Sequence, residues 1–155
     1  MRQCGCAINY HAGLRKKVSE GKLGEIFSGR PARLGAGLAL VSLPAHFLLA
    51  PTASHQLAAS VLALVAGIYV GFAIQDGRAK TLAVEGTFAL GFVAVALAGL
   101  WVSPWAIPVA YLLHGLWDVA HHRGIDTVMP AWYVPFCAVF DWVFAADLTV
   151  AWLQR

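Results

Sequence analysis

Charge is what this sequence lacks. Only 12% of its 155 residues are Asp, Glu, Lys or Arg, about half the ~25% of soluble domains. Apolar residues make up 59%, above the usual ~45–50%, and the mean hydropathy is +0.67. That balance excludes a disordered chain, a coiled coil and a nucleic-acid tail, and it points to a protein whose solvent is lipid. Other absences narrow the chemistry. No G-x-G-x-x-G, P-loop or C-x-x-C-H signature is present, so nothing marks a nucleotide, flavin or haem site. Cys4 and Cys6 have no second pair to complete a soft-metal site, and Cys137 lies in an apolar stretch. No apolar core followed by a small-residue cleavage site opens the chain, so its basic lead is expected to be retained. No internal repeat supports an inverted-repeat transporter.

What is present reads as an all-α, polytopic membrane bundle. Residues 1–32 form a basic cytoplasmic lead, either disordered or, over 12–27, an interfacial helix. Residues 33–155 form one transmembrane domain of about five spans, near 34–50, 57–74, 82–102, 104–121 and 130–153. Each is close to the ~17–25 residues needed to cross ~30 Å of hydrocarbon. Seven of the eleven Lys and Arg precede residue 34, and Arg78, Lys80 and Arg123 fall on the same side of the alternation. The positive-inside rule then makes the N-terminus cytoplasmic in a multi-pass plasma-membrane protein, with Arg155 the exception. The fourth span is the weakest, because it carries Pro108, His114, Asp118, His121 and His122, and a broken or re-entrant helix remains open there. Gly67-x3-Gly71 suits either tight packing inside the bundle or a homo-oligomer seam.

An ionisable side chain within a membrane costs at least ~2.5–3.5 kcal/mol and must find partners in the bundle interior. On a helix, His114, Asp118 and one of His121 and His122 share a face, since the adjacent pair diverges by ~100°. Asp141 lies mid-span in the fifth block, Glu85 lies one turn into the third and could reach water, and Asp76 ends the second. Ser42 and His46 share a face of the first span, Asp147 reads as a hydrated helix-end residue, and His11 and His55 lie outside the spans. Imidazole nitrogens with carboxylate oxygens suit Zn first, with Fe or Mn as alternatives. A bound cation would also offset the burial of the carboxylates. His114, Asp118, His121 or His122, and Asp141 are the candidate metal ligands. Glu85 is the candidate general base, and Asp141 serves as both ligand and catalytic residue. A structural polar network and a proton or substrate pathway remain the competing readings of the same residues.

The run from His114 to His122, H-G-L-W-D-V-A-H-H, with Pro130, Trp132-Tyr133, Pro135-Phe136-Cys137 and Asp141-Trp142, resembles a family of small bacterial integral-membrane proteins of unknown function. The resemblance covers the last quarter of the chain and implies membrane location without an activity. Ser42-x3-His46 is similar to the first element of the ceramidase-type membrane metal-dependent hydrolases, where Ser-x3-His, an Asp and His-x3-His bind zinc. His114-x3-Asp118 departs from it by placing a carboxylate where the second His belongs, and that family is larger, typically seven helices. The expectation is a metal-dependent hydrolase acting on a lipid-like substrate in the bilayer, with no nucleic-acid partner. A proton- or ion-coupled transporter or channel subunit, and a membrane scaffold, are the alternatives.

Overall fold

Among the described residues five helices follow one another with short breaks between the first four, and a proline or a glycine marks each of the first two breaks. The computed structural model describes residues 27–155, apart from the side chains of His122 and Arg123. Helix α1 spans Arg30–Leu48, α2 Pro51–Asp76, α3 Ala79–Trp101, α4 Ala106–Arg123 and α5 Tyr133–Leu153. Pro51 starts α2, where its missing N–H has no helical partner to lose. Gly77 ends α2 with φ 76°, the left-handed conformation that glycine adopts without strain. Among the described residues there are no strands. The basic lead, with its candidate interfacial helix, Cys4, Cys6 and His11, lies almost wholly outside the described residues.

Three helices, α2, α3 and α5, are long and apolar enough to cross a membrane. The helices begin and end within a few residues of the expected blocks, except that α2 starts six residues earlier, at Pro51, and so takes His55 into a helix. The fourth block is one continuous helix. Pro108 sits in its first turn, where it breaks no hydrogen bond, so α4 is neither kinked nor interrupted.

Around the bundle, α1 packs on α5, α5 on α4, α4 on α3 and α3 on α2, with a smaller α2–α1 contact closing the ring and α4 also touching α2. The closest approaches occur at small residues. A Cβ on Gly35 would run into the main chain of Phe136 on α5, one on Gly99 into Ile107, and one on Gly115 into the Trp142 indole. Gly67 and Gly71 do not serve this purpose: each would accept a Cβ with nothing within 4 Å. Their pattern is therefore not a seam among the described helices.

The bundle departs from a water-soluble distribution both inside and on its surface. Glu85, His114, Asp118, Asp141, His46 and Ser54 are fully buried, whereas Leu34, Val41, Leu64, Leu90 and Trp101 are largely exposed. Such a surface suits hydrocarbon. Between the two polar ends of the interior lies a packed apolar layer of Leu62, Ile107, Phe144 and Leu148, with Tyr111. Tyr111 donates its hydroxyl hydrogen to Ala58 O (2.8 Å).

Candidate metal centre

Helix α4 buries a stripe at His114, Asp118 and His121, the i, i+4, i+7 positions of one face. The end of the bundle that carries the α2–α3 turn receives it. Asp141 comes from two turns into α5, Glu85 from two turns into α3 and Tyr69 from two turns before the end of α2. Four helices thus bring six polar side chains together toward that end of the bundle.

His114 Nδ1–H donates to Asp141 Oδ2 (2.6 Å) and lies 3.9 Å from Asp118 Oδ1. Asp118 accepts the Tyr69 hydroxyl at Oδ1. His114, Asp118 and Asp141 each offer a ligand atom within 4.8 Å of the others. Each also keeps one buried atom without a partner: His114 Nε2, Asp118 Oδ2 and Asp141 Oδ1. Two carboxylates this close would repel by about 3 kcal/mol even at an effective dielectric constant near 20. In an apolar core they therefore need either a shared proton or a cation.

A second network adjoins the first. His121 Nδ1–H donates to Trp117 O (3.0 Å), which leaves Nε2 facing Glu85 Oε1 at 2.7 Å. Thr127, from the α4–α5 connection, donates to the same Oε1. One proton lies between His121 Nε2 and Glu85 Oε1, and Glu85 Oε2 is buried with no partner. The Tyr69 ring spans both networks, 5.6 Å from the His114 ring and 4.8 Å from that of His121.

The chain belongs to DUF6010, a family of unknown function whose model matches residues 33–151. No curated protein and no solved structure matches it.

For this member of DUF6010 the structure brings together His114, Asp118 and Asp141, and sets Glu85 and His121 beside them. Of the histidine pair, His121 joins, while the His122 side chain lies outside the described residues. Glu85 does not reach water; it is fully buried. Asp76 stands apart, paired with Arg78 and accepting Val128 N–H at Oδ2 (3.0 Å). Arg78 also meets Asp126 (2.6 Å), and these two carboxylates, Asp76 first, hold its guanidinium above its ordinary pKa. Ser42 and His46 do not join. Ser42 donates to Ala39 O on its own helix, and His46 bonds Ser54 (2.9 Å) at the opposite end of the bundle. Trp152 Nε1–H reaches the same Ser54 oxygen (2.9 Å). Asp147 is buried rather than hydrated, with Oδ2 unpartnered, and His55 packs edge-on against Trp152 (4.5 Å).

Tyr69 and Thr127 were not among the sequence candidates. Tyr69 carried a usable signal, because a phenol deep in an apolar stretch needs a hydrogen-bond partner when buried. Thr127 carried none, since a threonine in a polar connection is ordinary.

The donor set fits a divalent transition metal. One imidazole and two carboxylates are borderline ligands, and three protein ligands leave coordination positions for water or substrate. Ligand atoms at ~2.0–2.2 Å from a tetrahedral ion stand some 3.3–3.5 Å apart. The widest separation these atoms allow, 4.8 Å, exceeds that by about 1.3–1.5 Å, the most that closing on Zn would take.

Proposed function

We propose that this protein is a five-span membrane protein, with its N-terminus on the cytoplasmic side, that holds a divalent metal between His114, Asp118 and Asp141. In this reading it uses the ion to hydrolyse a lipid-like substrate. The observation that carries it is the convergence of one imidazole and two fully buried carboxylates, each with an unpartnered atom. A dication balances both carboxylates at once, so a site that is costly when empty becomes favourable when filled.

When bound, the ion supplies a Lewis acid and brings a water's pKa near neutrality. The other roles belong to the chain. His114 is fixed in one orientation by its Nδ1–H bond to Asp141, the arrangement by which a carboxylate sets the tautomer of a metal-binding imidazole. Tyr69 holds Asp118 by its Oδ1. Glu85 is the proton acceptor: Oε2 takes the proton of the attacking water and returns it to the leaving oxygen or nitrogen. His121 and Thr127 hold Oε1 meanwhile.

Metal analysis of protein purified without chelator tests the reading. About one equivalent of Zn, Mn or Fe, lost in His114→Ala and Asp141→Asn, is expected. Less than a tenth of an equivalent, unchanged in His114→Ala, overturns it. A proton path through a single chain is the weaker reading, because the apolar layer of Leu62, Ile107, Phe144 and Leu148 separates this site from His46 and Ser54.

A further inference from the structure

A buried metal site needs a way in, and the walls around this one are unequal. Toward the far end lies the apolar layer. On the outer face of α3, an open groove of about 280 Å³ lined by Thr87, Phe88, Gly91 and Phe92 comes within one ring of His114, because Phe92 packs edge-on against that imidazole (4.8 Å). The groove surface is almost wholly apolar, and a hydrated divalent cation cannot shed its water there without a prohibitive loss of solvation.

At the end with the α2–α3 turn the wall is different. Residues 124–132, between α4 and α5, are the only non-helical segment among the described residues whose side chains bond to the site. Thr127 reaches Glu85, and Met129 packs with Tyr69, Tyr133 and Cys137. The segment is fastened from outside. Arg78 grips Asp76 on one side and the Asp126 carboxylate and carbonyl on the other, and Asp76 takes Val128 N–H. The outer pair, Arg78 and Asp126, is 38% and 50% exposed, and an ion pair open to water adds little stability, whereas the Asp76 side chain is only 1% exposed and anchors Arg78 to the end of α2. On its outer side a weak polar clasp thus closes a strongly buried site, the pattern of a segment that opens locally while the rest stays folded.

We infer that residues 124–132 are the gate through which a hydrated divalent cation reaches His114, Asp118 and Asp141 from the aqueous side, with Arg78 as its latch. This rests on the metal reading above, and the experiment separates the two. The protein is placed in lipid nanodiscs in a Cys4→Ser, Cys6→Ser background, so that Cys137, 1% exposed, is the remaining thiol. Two rates are measured: loss of preloaded Zn²⁺ to excess chelator, and reaction of Cys137 with a water-soluble maleimide. Arg78→Ala is expected to raise both at least tenfold, and Asp126→Asn to raise both by less. Metal stoichiometry at saturation and the helix content by circular dichroism should stay unchanged. Gly91→Leu, which fills the groove, is expected to leave both rates as they are. Unchanged rates in Arg78→Ala overturn the gate, as does slower metal loss in Gly91→Leu. If the parent protein takes up no Zn²⁺, the metal reading falls and the cation gate falls with it. Cys137 reaction unaltered by Arg78→Ala, in a protein that does take up Zn²⁺, overturns the gate alone.

Discussion

Tyr69 donates its phenolic hydrogen to Asp118 across 49 residues of chain, and the same ring contacts the imidazoles of His114 and His121. Tyr69→Phe removes the donor and leaves Asp118 Oδ1 buried without that partner. The expected cost is about 1–3 kcal/mol, the desolvation penalty of an unsatisfied buried acceptor. A bound cation takes over part of that role, so the loss of melting temperature should be smaller with Zn²⁺ than with chelator. An equal loss in both conditions would separate Tyr69 from metal binding.

Asp118 and Asp141 crowd two carboxyl groups into one apolar space. Asp141→Asn is expected to weaken metal binding by at least ~100-fold, beyond the 10–100-fold typical of outer-shell partners. The same change should leave the metal-free protein as stable as the parent or more so, because it removes a buried charge. Titration calorimetry and thermal melts in chelator check the two halves separately.

Glu85 is assigned to proton transfer and not to metal binding. Glu85→Gln keeps a side chain of the same shape beside His121 and Thr127, so metal content is expected to stay near that of the parent. Turnover of a hydrolysable lipid ester should fall by ~10²–10⁴-fold, the usual contribution of a general base. Loss of metal in Glu85→Gln would move Glu85 into the ligand set.

Metal and fold are linked by mass action. At a free metal concentration 100 times the dissociation constant, binding stabilises the protein by ~2.7 kcal/mol. Chelator should therefore lower the melting temperature of the parent and leave that of His114→Ala unchanged. No shift in the parent contradicts the metal reading.

Gly35 and Gly37 lie two residues apart on α1, yet only Gly35 is pressed against α5. Gly35→Ala is expected to destabilise by about 1–3 kcal/mol through overpacking against main chain that cannot yield. Gly37→Ala meets open space and should be neutral or stabilising by up to ~1 kcal/mol, since alanine favours the helix. Thermal melts of the two variants in the same detergent provide the comparison.

The residue types and their spacing made much of this site legible. Helical period alone puts His114, Asp118 and one of His121 and His122 on a common face that is unfavourable toward lipid, and the structure selects His121. The same logic marked Asp141. It left Glu85 open between the site and water and misjudged Asp147 and His55, because depth along a helix does not say which way a side chain points. It also could not choose between Gly35 and Gly67, since both are small residues in apolar runs and only the neighbouring helix decides which is pressed.

By itself the sequence determined the five helices of the described residues to within a few residues at most ends, and the polar stripe on α4, because these follow from hydropathy, helix breakers and the 3.6-residue period, all local along the chain. The tertiary structure alone decided which residues meet that stripe. The partners come from other helices: Tyr69 lies 49 residues from Asp118, Glu85 36 from His121 and Asp141 27 from His114. Their meeting depends on the order in which the helices pack. That order also sent His46 to Ser54 at the far end, away from the site it shares a chemistry with.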